Sequence, residues 1–177
     1  MNDRKKENTS KVVLDDLILY IPEVLEVQKI EEGLQIRCEG NTLSLRTPNK
    51  YELPIRIDLT AKTNDTNIKL YYGLSEIVFN WECSQDELIV QDLTGSRYSY
   101  PQKGYVSIDE YVDITWIIHT SYMKILVNNK EILHNENYPY IFALKNNLSK
   151  KISEHIRIGS AMGSTITVKS LNITNIK

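Results

Sequence analysis

The side chains best suited to hold a ligand lie in the run VFNWE, where polar and apolar residues alternate. Side chains on a strand point to alternate faces, so Asn80 and Glu82 share one face of any strand formed here. The other face is wholly apolar and consists of Ile77, Phe79, Trp81 and Cys83. We therefore expect Trp81 in the core and the Asn80 and Glu82 side chains at the surface.

Neighbouring runs could complete a polar and aromatic site around this pair. Tyr71 or Tyr72 in IKLYYG would supply a stacking ring. Gln91 or Asp92 in ELIVQDL would supply a hydrogen-bonding group. Sugar sites combine an aromatic surface for C–H groups with fixed polar groups for hydroxyls. An ordinary solvated sheet face is the alternative interpretation.

The segment TGSRYSYPQKG lacks periodicity and contains Gly, Ser and Pro, so it is predicted to be a loop. Arg97, Tyr98 and Tyr100 lie within it. Loops on a rigid scaffold often carry binding residues, and Arg97 and Tyr98 are predicted to form the rim of the site. An ordinary turn is the alternative.

Complete catalytic and metal motifs are missing from the sequence. Asp109 and Asp113 have the parity to share a strand face, but a glycosidase needs two carboxylates set across a cleft. His119, His134 and His155 never fall at metal-ligand spacing. We therefore predict no catalytic residues, no metal and no cofactor.

Composition restricts the class of protein. A chain of 177 residues suits one domain, and 41% hydrophobic with 25% charged residues suits a packed, solvated fold. The net charge of −2 makes nucleic acid a poor candidate partner. Residues 1–11 are predicted to be a flexible lead and 12–177 a single domain.

The first apolar run, VVLDDLILYIP, is interrupted by two aspartates and ended by Pro22. It fits neither a secretory signal nor a membrane span, so we expect a cytoplasmic protein without a membrane partner. The longer stretch VVLDDLILYIPEVLEV is predicted to be a short helix that ends before Pro22, or two short strands separated by Pro22. Cys38 and Cys83 are expected to be buried thiols rather than a disulfide. The cluster Lys145, Lys150 and Lys151 is predicted to be a solvated loop.

About a dozen short strands with frequent turn signals predict an all-β sandwich or barrel. The run IRIDLTAKT alternates apolar and polar residues, as a half-buried antiparallel strand does. In YVDITWIIHTSYMKILVNNKEIL, parity places Trp116 on one face with two isoleucines, which predicts a core residue. The Asn128-Asn129 pair predicts a turn. The last strand, TITVKSLNITNIK, loses its alternation between Val168 and Leu171, which suggests a bulge.

The order of these strands, from IRIDLTAKT through EIVFNWE and ELIVQDL to WIIHTSYMKILVNNKEI, resembles the concanavalin A-like jelly roll of galectins and laminin G-like domains. The resemblance covers roughly residues 24 to 177 and implies a sandwich of two antiparallel sheets. Of the galectin sugar-binding motifs, only the single asparagine of the middle strand has a counterpart in this sequence, which is Asn80. The His-x-Asn-x-Arg and Trp-x-x-Glu-x-Arg motifs have none. The Glu-x-Asp-x-x-Glu strand of related glucanases is also absent.

The resemblance implies a non-catalytic, lectin-like module that binds a saccharide or another small ligand on its concave sheet. The predicted ligand-binding residues are Asn80, Glu82, Tyr71, Asp92, Arg97 and Tyr98. A protein-interaction or sensor domain of a bacterial regulator is the alternative, and a glycoside-active enzyme is a third hypothesis. A homo-oligomer stays open.

Overall fold

The computed structural model describes residues 10–22, 25–40, 43–136 and 152–177. In these ranges every regular element is a strand, and the strands form two antiparallel sheets. Numbered in chain order, they are β1 (Ser10–Leu14), β2 (Leu17–Ile21), β3 (Glu26–Ile30), β4 (Gly33–Arg37), β5 (Leu45–Glu52), β6 (Ile55–Thr63), β7 (Ile68–Tyr72), β8 (Ser75–Phe79), β9 (Leu88–Gln91), β10 (Arg97–Tyr100), β11 (Val112–Ile118), β12 (Met123–Val127), β13 (Lys130–Asn135), β14 (Ser153–Gly159) and β15 (Thr165–Asn175). The predicted all-β sandwich of two antiparallel sheets is confirmed.

One sheet has eight strands in the order β1-β2-β5-β14-β7-β8-β9-β10, and the other has seven in the order β13-β12-β11-β6-β15-β4-β3. Consecutive strands of the described ranges lie in different sheets at seven places: β2–β3, β4–β5, β5–β6, β6–β7, β10–β11, β13–β14 and β14–β15. Strands distant in sequence therefore become neighbours. The most extensive pairings, β15 with β6 and β11 with β6, lie in the seven-stranded sheet.

The core lies between the sheets and follows from the alternation within each strand. In β6 the burial alternates at every residue, so Ile55, Ile57 and Leu59 point inward and Arg56 outward. Trp116 on β11 is fully buried and lies opposite Ile57 of β6, as its parity predicted. Burying such side chains supplies the main driving force for this fold, because each removes a large apolar area from water.

Turns at Asx residues close two hairpins. The first apolar run is neither a helix nor a pair of strands divided at Pro22. It is the hairpin β1–β2, which turns at Asp15 with a positive φ of 51°. Asn128 and Asn129 also have positive φ values, of 49° and 63°, and join β12 to β13 as predicted. Asparagine and aspartate tolerate this left-handed backbone better than most residues do.

The start of β4 at Gly33 packs closely against the bulge in β15. The register of β15 against β6 shifts between Val168 and Ser170, which confirms the predicted bulge. Gly33 has a φ of 141°, and a Cβ at this position would lie 2.1 Å from the Val168 carbonyl oxygen. Glycine is therefore required here both by its backbone conformation and by space.

Four predictions about the chain's organisation need correction or fall outside the described ranges. Because β1 begins at Ser10, residues 10–11 belong to the sandwich rather than to a flexible lead. The predicted loop TGSRYSYPQKG contains strand β10, which pairs with β9. Cys38 is buried as expected but Cys83 is exposed. Residues 1–9 and the cluster Lys145, Lys150 and Lys151 lie outside the described residues. Within the described part of the chain, no helix could span a membrane.

Candidate functional site

A continuous line of polar and aromatic side chains crosses the outer face of the eight-stranded sheet. The strand registers pair Lys11 with Tyr20, Tyr20 with Arg46, and so on across all eight strands. We call this line the transverse row; it consists of Lys11, Tyr20, Arg46, Arg157, Tyr71, Glu76, Gln91 and Arg97. At about 4.8 Å per strand it spans roughly 34 Å.

The alternation of each strand explains why the row faces outward. The residues next to row members in sequence point the other way and are buried in the core: Leu19, Leu45, Ile156, Ile158, Leu70, Tyr72, Ile77 and Val90. Since neighbouring side chains on a strand face opposite sides of the sheet, the row must lie on the side away from the core.

The centre of the row is a packed polar cluster. The Glu76 Oε1 atom lies 3.6 Å from the Lys69 Nζ atom, and these side chains are only 14% and 9% exposed. Tyr71 is 8% exposed. Burial raises the pKa of the Tyr71 phenol, and its contact and hydrogen bond with the Glu76 carboxylate raise it further. Tyr71 therefore stays protonated and its ring is held in place by the sheet.

Two arginines lie directly opposite each other beside this cluster. The Arg157 guanidinium carbon is 4.4 Å from the Tyr71 ring centroid, and its Nη2 atom donates to the Gly73 carbonyl oxygen at 2.9 Å. The Arg46 guanidinium carbon is 5.8 Å from the Tyr20 ring centroid. These are cation–π distances. Within the described ranges, neither arginine forms an ion pair with a carboxylate.

The row begins and ends with further cations next to aromatic rings. Lys11 Nζ lies 5.4 Å from the Tyr20 ring centroid. At the other end, the Arg97 guanidinium carbon lies 4.8 Å from the Trp81 ring centroid. Gln91 is fixed between them by donating from Nε2 to the Leu74 carbonyl oxygen at 2.9 Å. The row thus alternates cations, rings and amide groups that could each contact a bound molecule.

His155 lies on the same face as Arg157, two residues away on β14. Its Nδ1 atom lies 2.8 Å from the Thr47 carbonyl oxygen and 3.1 Å from that of Asn49. Because carbonyl oxygens only accept hydrogen bonds, Nδ1 carries the proton and donates. In the neutral form of the ring, Nε2 is therefore the hydrogen-bond acceptor.

The prediction that Asn80 faces the surface is wrong. Strand β8 ends at Phe79, and Asn80 follows it with a φ of 48° and no exposed area. Its Oδ1 atom accepts from the Val106 N–H at 2.8 Å, and its Nδ2 atom donates to the Val106 carbonyl oxygen at 2.9 Å. Asn80 is thus a clamp that fastens the loop at 104–106 to the end of β8.

The break in the strand also changes the positions of Trp81 and Glu82. Parity cannot be carried past a residue with positive φ, so Trp81 is half-buried against Arg97 rather than part of the core. Glu82 is also half-buried, and its Oε2 atom is inaccessible to solvent and has no hydrogen-bond partner. Neither position matches the exposed polar face expected from the sequence.

Asp92 and Tyr98 lie together, but in a turn. Asp92 is 1% exposed, and its Oδ1 atom accepts from the Thr94 and Ser96 N–H groups at 2.7 and 3.0 Å. Tyr98 donates from its hydroxyl to Asp92 Oδ2 at 3.2 Å. Side-chain hydrogen bonds of this kind stabilise turns. The Asp92 carboxylate therefore holds the turn between β9 and β10 rather than facing a ligand.

Of the six predicted site residues, the transverse row includes Tyr71 and Arg97. Reasoning from the sequence missed Lys11, Tyr20, Arg46, Glu76 and Arg157. In the structure, Lys69 and Tyr71 of β7 alternate with apolar residues and are themselves buried, which the sequence alone does not show. Such a strand is covered on both faces, which marks the sheet face around it as more than a plain solvated surface.

No family model and no curated protein sequence matches the chain. Among solved structures, it is similar to a sialidase with a TM-score of 0.62 and 7% identity; the match covers 90% of this chain and 17% of the sialidase. The carbohydrate-binding module CBM66 from Bacillus subtilis matches with a TM-score of 0.58 and 7% identity, over 85% of this chain and 92% of the module. Alginate lyase A1-II′, a member of polysaccharide lyase family 7, matches with a TM-score of 0.56 and 13% identity, over 85% of this chain and 84% of the lyase.

The chain has the concanavalin A-like jelly-roll fold. The resemblance noted in the sequence is therefore confirmed at the level of the fold. Identities of 13% or less between this jelly roll and the three structures carry no residue-level correspondence, since one fold hosts many functions.

Proposed function

We propose that this jelly roll binds a saccharide chain along the transverse row and does not cleave it. The observation that supports the proposal is the row itself: rings and hydrogen-bonding groups follow one another across eight neighbouring strands. A line of roughly 34 Å, at about 4.8 Å per strand, suits an extended polymer better than a compact small molecule. A carbohydrate-binding module and an alginate lyase among the structural neighbours agree with a ligand of this class.

The row and the neighbouring His155 offer two kinds of contact. The half-buried Tyr20 ring can pack against the C–H surface of a sugar, whereas the buried Tyr71 ring supports the Arg157 guanidinium from below. Gln91 and the acceptor nitrogen of His155 can bond to hydroxyl groups. Because all of these groups are carried by strands, they are already in position before a ligand arrives, which lowers the entropy cost of binding.

Binding without cleavage agrees with the acid–base content of the row. Retaining and inverting glycosidases use two carboxyl groups across the scissile bond. The row contains a single carboxylate, that of Glu76, and it is engaged by Lys69 and Tyr71. Asp109 and Asp113 belong to the other sheet region, where Asp113 accepts from the Thr60 hydroxyl at 2.7 Å.

A protein-binding surface has less support. Among the described residues, Val13 and Ile18 are cross-strand neighbours on one hairpin, and the other large exposed apolar side chains lie on other elements: Leu74, Tyr98, Tyr105 and Met162. A protein interface of ordinary size needs a contiguous patch.

A glycan array followed by calorimetric titration tests the proposal. We expect at least one polysaccharide to bind, and Tyr20→Ala to weaken its binding about fivefold by removing a ring from the row. Tyr105→Ala removes a ring that is 57% exposed outside the row and should leave the affinity unchanged. Failure of every glycan to bind would refute the proposal.

The same mixtures should be assayed for new reducing ends. We expect none to accumulate beyond the rate without protein. Continued release that scales with protein concentration would contradict the non-catalytic part of the proposal and leave the binding part intact.

A further inference from the structure

We infer that the saccharide bound by the row is acidic, and that Arg46 and Arg157 together bind its carboxylate or sulfate groups. This inference rests on the proposed function and narrows its ligand class. The two arginines are direct cross-strand neighbours on β5 and β14, on the same outer face. Both carry a permanent positive charge at any physiological pH.

Like charges placed directly opposite each other on adjacent strands destabilise a sheet. Two other strand arginines in the described ranges have carboxylate partners, since Arg37 pairs with Glu39 and Arg56 pairs with Asp58. Arg97, at the end of the row, lies against the Trp81 ring. Arg46 and Arg157 have tyrosine rings instead, one on each outer side of the pair. The rings lie against the two guanidinium groups, and within the described residues no carboxylate forms an ion pair with either one.

The other charges of the row also favour an anionic ligand. Lys11 adds a third cation next to Tyr20, and the other end of the row has Arg97. The carboxylate of Glu76 is the row's only acidic group, and Lys69 neutralises it at 3.6 Å. A positively charged line on a chain of net charge −2 is a local feature, since overall composition would not produce it.

Guanidinium groups bind carboxylate and sulfate oxygens through paired N–H donors. A polymer with an acidic group on each sugar presents such oxygens repeatedly along its length. Strands about 4.8 Å apart place Arg46 and Arg157 about one sugar residue apart, so one acidic sugar can bridge the pair or two successive ones can bind it.

Titration with two matched polymer pairs tests the inference. The pairs are polygalacturonate against its fully methyl-esterified form, and dextran sulfate against dextran. We expect an acidic polymer to bind at least about tenfold more tightly than its neutral partner. Binding should also weaken as salt is raised, because the contacts are ionic and accessible to solvent. A preference for polygalacturonate would identify a uronate ligand, and a preference for dextran sulfate a sulfated one.

Variants localise the effect. Arg46→Gln and Arg157→Gln should each weaken binding of the acidic polymer about tenfold, a larger loss than either variant causes for the neutral polymer. Arg37→Gln makes the same change in net charge on the other sheet and should bind like the original protein. Since Arg157 also donates to the Gly73 carbonyl, Arg157→Lys is included to retain the charge, and thermal unfolding checks that each variant folds.

The inference fails if the neutral polymers bind as tightly as the acidic ones. It fails equally if Arg37→Gln weakens binding as much as Arg46→Gln. The first result leaves saccharide binding on the row intact, whereas the second also counts against the row as the place of binding. Failure of all four polymers and of every array glycan to bind would refute the proposed function together with this inference.

Discussion

Asn80→Ala is expected to destabilise the fold rather than to remove a contact with a ligand. Asn80 is fully buried, and Val106 is 4% exposed. The substitution removes the acceptor of the Val106 N–H and the donor to the Val106 carbonyl, at 2.8 and 2.9 Å. A buried polar group left without a partner costs about 1–3 kcal/mol. Alanine at a φ of 48° adds about 1 kcal/mol of backbone strain. With two Val106 groups losing their partners, we expect the free energy of unfolding to fall by about 3–7 kcal/mol.

Three further variants separate these contributions. Asn80→Gly removes the two hydrogen bonds but tolerates the positive φ, so it should be about 1 kcal/mol more stable than Asn80→Ala. Asn80→Asp keeps the acceptor for the Val106 N–H but loses the donor to its carbonyl, and should be intermediate. Asn129→Ala is the matched control, because Asn129 has a φ of 63° in an exposed turn. It should cost only the strain, about 1 kcal/mol.

Urea unfolding followed by tryptophan fluorescence measures these differences, and calorimetric titration at a temperature where each variant is folded measures binding. A stability of Asn80→Ala within about 1 kcal/mol of the original, together with lost saccharide binding, would refute the clamp. Asn80 would then act on the ligand, as its position in VFNWE first suggested.

Three other perturbations test the core, the bulge and the outer face. Trp116→Ala should cost about 3–5 kcal/mol because the ring is fully buried, and retained stability would contradict its place in the core. Gly33→Ala should cost more than about 2 kcal/mol because its Cβ would collide with the Val168 carbonyl; a smaller loss in urea unfolding would show that the bulge adjusts. Burial raises the pKa of both Tyr71 and Tyr72, so the folded state keeps protons that the unfolded state loses above pH of about 10. The free energy of unfolding should therefore fall by about 1.4 kcal/mol per tyrosine between about pH 9 and 11. In Tyr71→Phe this fall should be smaller by the contribution of one tyrosine. An unchanged pH dependence in that variant would contradict the raised pKa of Tyr71.

The fold could be predicted because its main signals are local. Strict alternation in IRIDLTAKT, the Asn128-Asn129 turn and the slip after Val168 each depend on a few neighbouring residues, and each appears in the structure. The hairpin β1–β2 was harder, since VVLDDLILYIP also fits a short helix and the turn at Asp15 depends on one backbone angle. Strand β10 was missed because RYSY is polar and exposed at the sheet edge, where no hydrophobic alternation is required.

The predicted site failed at one residue. Parity correctly placed Ile77 and Phe79 in the core, but it was extended past Asn80, where the positive φ ends the strand. Every assignment after that point was reversed or lost: Asn80 is inside, Trp81 is half-exposed and Cys83 is exposed. Asparagine is a residue that commonly takes this backbone conformation, so VFNWE contained the alternative interpretation as well.

The transverse row could not be read from the sequence for a different reason. Across the sheet its positions run 11, 20, 46, 157, 71, 76, 91 and 97, so the order departs from that of the chain where β14 enters between β5 and β7. In its own strand, each row residue is an ordinary outward-facing side chain. Only the registers place Arg157 beside both Arg46 and Tyr71 and so create two adjacent guanidinium groups between two rings. Since that arrangement exists only after β14 has paired on both sides, a substitution that disturbs β14 should affect ligand binding even when it touches no row residue.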